Sequence, residues 1–188
     1  MKNLLIGLGV ITAIVLIGFG WYKNGYNTAV SKDEAVKSAW AQVENQLQRR
    51  NDLVPNLVNT VKGYASQEKG IFVEVTRLRS QWGEAKTVSE KIANADAMSS
   101  ALSRLFLVVE NYPQLKSNEN FLALQSQLEG TENRIAVERM RYNQAAQDLD
   151  VFRRELFGQF FAVAAGVKEP AVYFKAEEKA RQVPVVNF

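Results

Sequence analysis

Few side chains in this sequence belong to the types that catalyse reactions or bind metals near neutral pH. The 188 residues include neither His nor Cys. Their absence excludes disulfides, thiol nucleophiles, zinc sites built on Cys and His, and the Ser-His-Asp arrangement. Carboxylates, Lys, Tyr and Ser remain, which disfavours an enzyme. We therefore predict a non-catalytic protein with no cofactor and no bound metal.

One cluster of charged residues falls on positions that should face a protein core. Arg50 lies in an apolar stripe between Leu47 and Val54, where an unpaired charge would be strongly unfavourable. Further along the chain, Glu132 and Arg139 are seven residues apart and share one helix face. We expect Glu132 to pair with Arg50. The predicted structural polar network consists of Arg49, Arg50, Asp52, Glu132 and Arg139.

This network is compatible with two kinds of function. A carboxylate with a raised pKa in an open cleft would suit a sensor or hydrolase module. An ion pair that fixes the register of packed helices is the better-attested use of buried charge in bundles, and we favour it. The di-iron sites of helical bundles need a Glu-x-x-His pattern, which a chain without His does not provide.

The helices that position this network are predicted from apolar residues spaced alternately four and three apart. Such a repeat lines one face of a helix and favours coiled-coil-like packing. It predicts one long helix or two collinear helices over residues 31–83, bent at Pro55 and weakened at Gly63 and Gly70. The stripe comprises Val36, Trp40, Val43, Leu47, Val54, Leu57, Val61, Tyr64, Ile71, Val75, Leu78 and Trp82.

Two further helices complete the predicted domain. One should cover residues 88–111 and end before Pro113, and the next should begin near Ser117 or Asn118 and continue to about Phe161. Short connections make neighbouring helices antiparallel, so we predict an all-α, antiparallel three- to four-helix bundle. The last helix directs inward Phe121, Leu124, Leu128, Ile135, Tyr142, Leu149, Phe152, Leu156 and Phe160.

Residues 3–22 predict a transmembrane helix, because they carry no charged side chain between Lys2 and Lys23. About 20 helical residues span a hydrocarbon core of roughly 30 Å, and Trp21 and Tyr22 are suited to the membrane interface. The segment is long for a signal peptide and ends without a small-x-small cleavage site, so we predict that it is retained. The flanking lysines leave the side of the membrane open.

The C-terminal residues 167–188 predict an extended tail, since Pro170 and Pro184 interrupt its short apolar stretches. Such a tail either docks on its own bundle or pairs with a neighbouring copy, and we favour the neighbour. The predicted domains are an anchor over residues 1–25, a helical bundle over residues 26–166, and this tail. The candidate assembly residues are Tyr173, Phe174, Val185, Val186 and Phe188.

The distribution of charge argues against two classes of partner. The net charge is +3, and two of the 23 basic residues, Lys2 and Lys23, precede residue 31. The other basic residues nearly balance the 20 acidic ones, so we predict no nucleic-acid binding. A membrane-remodelling coat would need a dense basic face against lipid, and the sequence shows no dense run of Lys and Arg.

Five motifs occur in order along nearly the whole chain. They are YN at Tyr26–Asn27, VENQLQRRNDLVPNLVNTVKGYA at Val43–Ala65, YPQLKSNENF at Tyr112–Phe121, TENRIAVERMRYN at Thr131–Asn143 and PVVNF at Pro184–Phe188. Together they resemble the LemA family. The resemblance implies a bacterial cell-membrane protein with one span and a helical-bundle body, and it carries over no catalytic residues.

These expectations combine into a prediction of function. We predict a membrane-anchored, non-catalytic scaffold of the bacterial cytoplasmic membrane that self-assembles laterally into a homo-oligomer. Its partners would be the lipid bilayer, further copies of itself and other membrane proteins. Anchoring confines the copies to a plane, so weak lateral contacts become sufficient. The alternatives are a sensor or hydrolase module at the carboxylate–arginine cluster, or a membrane-remodelling coat.

Overall fold

The computed structural model describes residues 2–167 and 169–175, and every regular element in these ranges is an α-helix. The predicted all-α fold class is therefore confirmed. The helices of the described residues are α1 (Lys2–Lys62), α2 (Lys69–Glu84), α3 (Val88–Val109), α4 (Pro113–Lys116), α5 (Glu119–Arg154) and α6 (Gly158–Ala164).

The chain divides into two compact units. Of the described residues, unit 1 takes those of 1–40 and 141–171, and unit 2 takes those of 41–140 and 172–188. Helices α1 and α5 are both divided between the units, so that each unit contains one part of α1 and one part of α5. The division expected from the sequence, with boundaries after residues 25 and 166, stays a prediction.

Unit 2 is an up-and-down helical bundle built on the apolar stripe. Helix α2 runs antiparallel to α1, because Trp82 Nε1 donates to Gln48 Oε1 while Arg79 Nε donates to the Asn51 carbonyl, each at 3.3 Å. Helix α3 runs antiparallel to α2, and α5 runs antiparallel to α3. One core cluster joins α1 to α5 and includes Val54, Leu57, Val61, Phe72, Val75, Leu78, Met98, Leu102, Leu105, Leu115, Phe121 and Leu128.

The interruption of the first predicted bundle helix lies after Lys62 and not at Pro55. Pro55 is inside α1, where its missing N–H leaves the carbonyl of Asn51 without its helical donor. Arg79 Nε, on α2, donates to this same carbonyl at 3.3 Å. A side chain of the next helix thus replaces the hydrogen bond that the proline removes.

The expectation of one helix or two collinear helices over residues 31–83 is wrong. The chain leaves α1 at Lys62, and α2 begins at Lys69 and packs back along α1. Tyr64 was expected to point inward, yet it lies in the connection and is 42% exposed. The four-and-three repeat predicted the inward-facing side of the helix before the break and of the helix after it. Such a repeat does not give the angle between two consecutive helices.

Side-chain caps determine where α3 and α5 begin. Thr87 Oγ1 accepts from the Glu90 N–H at 3.2 Å, and the Glu90 carboxylate accepts from the N–H groups of Lys86 and Thr87 at 2.8 and 3.1 Å. The hydrogen bond from the Lys86 N–H and then that from Thr87 lower the pKa of Glu90. For α5, Asn118 Oδ1 accepts from the Phe121 N–H at 3.0 Å, which confirms Asn118 as the predicted cap.

Unit 1 contains the N-terminal part of α1, the C-terminal part of α5, and α6. We call residues 3–22 the N-terminal apolar segment; all its side chains are exposed. The helix that holds it, and also α3, are long and apolar enough to cross a membrane. Helix α3 is partly buried as a core helix of unit 2, whereas the apolar window of α1 is not buried at all. The small cores of unit 1 include Ala29, Leu149, Phe152, Phe161, Ala162 and Val167.

The third predicted helix ends earlier than expected. Helix α5 stops at Arg154, and Phe157 adopts a left-handed backbone conformation with φ of 67° before α6 begins at Gly158. Leu156 and Phe160 are 86% and 55% exposed. The expectation that they point inward is wrong, because the turn changes the phase of the helical repeat after Arg154.

Candidate functional site

The guanidinium group of Arg50 joins three helices inside unit 2. Arg50 is only 1% exposed. Its Nη1 donates to Ser99 Oγ at 2.8 Å and to Glu132 Oε1 at 2.9 Å, and its Nη2 donates to the Ala95 carbonyl at 3.1 Å. The structure thus brings Arg50 of α1 and Glu132 of α5 together and adds two acceptors on α3. A planar guanidinium can make these bonds in fixed directions, which a lysine cannot.

The local chemistry suits positioning better than catalysis. The Ser99 hydroxyl donates to the Ala95 carbonyl at 3.1 Å while its oxygen accepts from Arg50. A serine nucleophile needs its proton directed at a base, and here the proton is directed at a backbone oxygen. Within the described ranges, no group of three or more carboxylates could hold a metal ion.

Arg139 belongs to a separate ion pair. Its Nη2 contacts Asp96 Oδ1 on α3, and its guanidinium lies 4.2 Å from the ring centroid of Phe174. The expectation that Arg139 shares one network with Glu132 is corrected, because seven residues of helix separate the two by about 10 Å along the axis. They share a face of α5, but Glu132 meets Arg50 of α1 and Arg139 meets Asp96 of α3.

Arg49 and Asp52 also lie outside the Arg50 network. Both side chains are exposed, and Asp52 accepts from Gln48 on its own helix at 2.8 Å. Each residue of a helix is rotated by about 100° from the previous one, so these neighbours of Arg50 leave the buried face. Asn51, by contrast, is 3% exposed, and its side-chain amide has no hydrogen-bond partner among the described residues.

A groove of about 420 Å³ runs beside the exposed edge of Glu132. Glu132 has 38% of its side chain accessible and forms part of the wall. Its lining contains both polar and apolar residues, so the groove could admit a small ligand. Its lining consists of Ser99, Leu102, Ser103, Phe106, Leu128, Glu129, Glu132 and Asn133.

A second groove, of about 700 Å³, lies between the end of α1 and α2. Sequence reasoning missed it. Lys62, Lys69 and Arg77 supply basic groups, and Phe72 and Val73 supply apolar surface. The signal was available, since Lys69, Val73 and Arg77 recur every four residues on α2, opposite the buried stripe.

Sequence reasoning also missed a cluster of aromatic rings in unit 1. Trp21, at the end of the N-terminal apolar segment, meets Phe157 and Phe161 edge to face at centroid distances of 5.3 and 4.9 Å. Tyr22 meets Phe160 at 6.2 Å. The sequence shows three phenylalanines within residues 157–161. Because the segment was predicted as part of one continuous helix, the contacts of these rings with Trp21 and Tyr22 were not expected.

The candidate assembly residues fall into two groups. Phe174 is 7% exposed and its ring lies against the guanidinium of Arg139 in the same chain, and its part in assembly stays a prediction. Tyr173 is half-buried. Val185, Val186 and Phe188 lie outside the described residues.

Fold and site together define an all-helical protein with an exposed apolar N-terminal helix and a bundle tied by a buried arginine. A family model described as LemA family matches residues 39–188. The chain therefore belongs to the LemA family, as its motifs indicated.

Curated relatives carry the name magnetosome protein MamQ. Two of them, MamQ 1 and MamQ 2 of Paramagnetospirillum magneticum, are each 28% identical to this chain over 86% of it and 68% of their own length. MamQ of Magnetospirillum gryphiswaldense is 26% identical, with the same shares covered.

Proposed function

We propose that this protein is a membrane-anchored, non-catalytic scaffold of the bacterial cytoplasmic membrane. The observation that carries the proposal is the N-terminal apolar segment: twenty uncharged residues, exposed throughout, continuous with a helix of the bundle. Exposed apolar surface of this extent is unfavourable in water and suits the interior of a bilayer. Membership of the LemA family and similarity to magnetosome proteins support a membrane setting.

The non-catalytic part of the proposal rests on the Arg50 network. Glu132 is held by a guanidinium, Ser99 donates to a backbone carbonyl, and His and Cys are absent from the sequence. General base catalysis or covalent catalysis at this cluster would need a free base or an activated nucleophile. The network instead links α1, α3 and α5, which suits the fixing of helix register.

The scaffold part of the proposal is lateral self-assembly. Anchoring confines copies to a plane and raises their effective concentration, so modest contacts are sufficient. Unit 2 exposes apolar side chains that could supply such contacts, among them Leu107 at 67% and Met140 at 66%. The apolar end of the sequence, residues 183–188, is a further candidate.

The anchor is tested by extracting membranes that contain the full chain with alkaline carbonate. We expect the wild type to stay in the pellet, and a variant with Ile11→Asp and Ile14→Asp to be released, because charges at the centre of a bilayer are costly. Leu107→Asp, at an exposed site of α3, is the matched control and should stay in the pellet. Release of the wild type would contradict the proposal.

Self-assembly is tested by the sedimentation of the full chain in mild detergent. We expect particles larger than one copy, and smaller particles when residues 183–188 are deleted. A wild type that sediments as a monomer at every concentration would refute lateral assembly. An unchanged profile after the deletion would refute only the role of the tail.

A sensor module is the second candidate, and the groove beside Glu132 is the observation that favours it. Native mass spectrometry of the full chain, purified from membranes, would show a bound small molecule that Glu132→Gln loses. Identical ligand-free masses for both proteins would contradict this candidate.

A further inference from the structure

The turn between α5 and α6 directs large apolar side chains away from the protein. Leu156 is 86% exposed, and Phe157, Phe160 and Val163 are each at least half exposed. These four residues lie within eight positions of the chain, and we call them the α6 apolar patch. Isolated exposed apolar residues are ordinary, but a contiguous patch marks an interaction surface.

The backbone of this turn has an unusual conformation at Phe157 and a close approach at Gly158. Phe157 holds a left-handed conformation with φ of 67°, which is unfavourable for a bulky side chain. A Cβ atom added to Gly158 would lie 1.7 Å from the carbonyl oxygen of Phe152, so the close approach of the chain requires glycine there. The direction of the patch therefore follows from the backbone conformation of this turn in the folded protein.

The patch lies beside the end of the N-terminal apolar segment. Trp21 contacts Phe157 and Phe161, and Tyr22 contacts Phe160. At a rise of about 1.5 Å per residue, Trp21 is about 27 Å along the helix from Asn3, close to the thickness of a hydrocarbon core. Trp and Tyr are enriched at such a boundary. The patch thus lies beside the two aromatic residues that end the N-terminal apolar segment.

The charges around the patch agree with this placement. Lys23 is exposed one residue beyond Tyr22, and the turn itself carries Arg154 and the acidic Glu155. Both signs are present, so attraction to anionic lipids is not the main contribution. Apolar and aromatic side chains with charged neighbours at their edge are typical of segments that lie at the boundary of headgroups and acyl chains.

From this geometry we propose that the α6 apolar patch inserts into the same face of the bilayer at which the N-terminal apolar segment ends. The chain would then have two membrane contacts, one spanning and one interfacial, far apart in sequence. The inference rests on the proposed anchor. The occupant of the patch is the lipid at the headgroup–acyl boundary, because the patch continues the surface that the anchor presents to lipid.

The test uses the natural absence of cysteine. Single cysteines in place of Leu156, Ile14 or Leu107 are labelled with an environment-sensitive fluorophore, and the full-length chains are reconstituted in phosphatidylcholine nanodiscs. The nanodiscs carry lipids with a nitroxide quencher near the headgroup or in the middle of the acyl chain. Leu107, an exposed leucine of α3, matches Leu156 in residue type and is also more than half exposed.

We expect the fluorescence of the label at position 156 to be quenched chiefly by the nitroxide near the headgroup. The label at position 14 should be quenched chiefly by the nitroxide in the middle of the acyl chain, and the label at position 107 by neither. An unquenched label at position 14 would overturn the anchor itself. A quenched label at position 14 with an unquenched one at position 156 would overturn the interfacial contact alone. Protection of position 156 from a water-soluble quencher without lipid quenching would show that a second copy covers the patch, and would also overturn it.

Discussion

Replacing Glu132 by Ala should lower the free energy of unfolding by about 3 kcal/mol. The substitution removes the carboxylate 2.9 Å from Nη1 of Arg50, whose side chain is 1% exposed. The remaining acceptors, Ser99 Oγ and the Ala95 carbonyl, are uncharged. Breaking a buried ion pair costs about 3–5 kcal/mol. Because 38% of the Glu132 side chain is accessible, water already screens part of the pair, so we expect the lower end of this range.

Two further variants separate the contributions of charge and hydrogen bonding. Glu132→Gln keeps an oxygen acceptor, so we expect a loss of only about 1 kcal/mol, the difference between a charge-assisted and a neutral hydrogen bond. Arg50→Met combined with Glu132→Leu removes both charges and should be far less destabilised than Glu132→Ala. Glu129→Ala is the matched control: Glu129 is exposed, accepts only from Gln125 on the same helix, and should change stability by less than about 0.5 kcal/mol.

The assay is a urea titration of the full chain in detergent, followed by the helical circular dichroism signal. With a denaturant slope of about 1–3 kcal/mol per molar urea, a loss of about 3 kcal/mol moves the midpoint down by about 1–3 M. Equal midpoints for Glu132→Ala and Glu129→Ala would refute the reasoning. That result would mean that Arg50 does not depend on Glu132 for compensation of its charge.

The remaining predictions use glycine contacts and the capping box. Gly130→Ala should stabilise by about 0.5–1 kcal/mol, because Ala favours helix and nothing lies within 4 Å of its added Cβ. Gly25→Ala should lose this gain in the same titration, because its Cβ would lie 2.4–2.5 Å from ring atoms of Phe161; equal gains would contradict that contact. Thr87→Ala should cost about 1 kcal/mol through loss of the cap. The lowered pKa of Glu90 means that its contribution is present above the ordinary pKa of Glu and is lost as pH falls through the folded pKa. The difference in thermal midpoint between wild type and Glu90→Gln should therefore shrink on acidification, and a constant difference would refute this linkage.

The sequence predicted the core-facing residues of the bundle with considerable detail. Val43, Leu47, Leu57 and Val61 are all completely buried, because a four-and-three repeat places side chains on one face of a helix whatever that helix packs against. The pairing of Arg50 and Glu132 followed from the same principle, since a charge on that face needs a partner. The start of α5 was predicted from local capping chemistry, which left Ser117 and Asn118 as the two candidate caps; the structure has Asn118 as the cap.

The tertiary structure decided how the helices turn and which residues of different helices meet. Gly63 marked a weak point next to the break after Lys62, but the sequence did not show that the helix would continue through Pro55, where Arg79 from α2 donates to the carbonyl that the proline leaves without a helical donor. The partner of each charged residue on α5 also depends on packing, since Glu132 meets Arg50 of α1 and Arg139 meets Asp96 of α3. The α6 apolar patch depends on a left-handed Phe157, a conformation that sequence preferences disfavour. Apolar periodicity and helix capping involve residues a few positions apart, so the sequence alone reveals them. The turns between helices and the contacts between residues of different helices arise only when distant segments pack together.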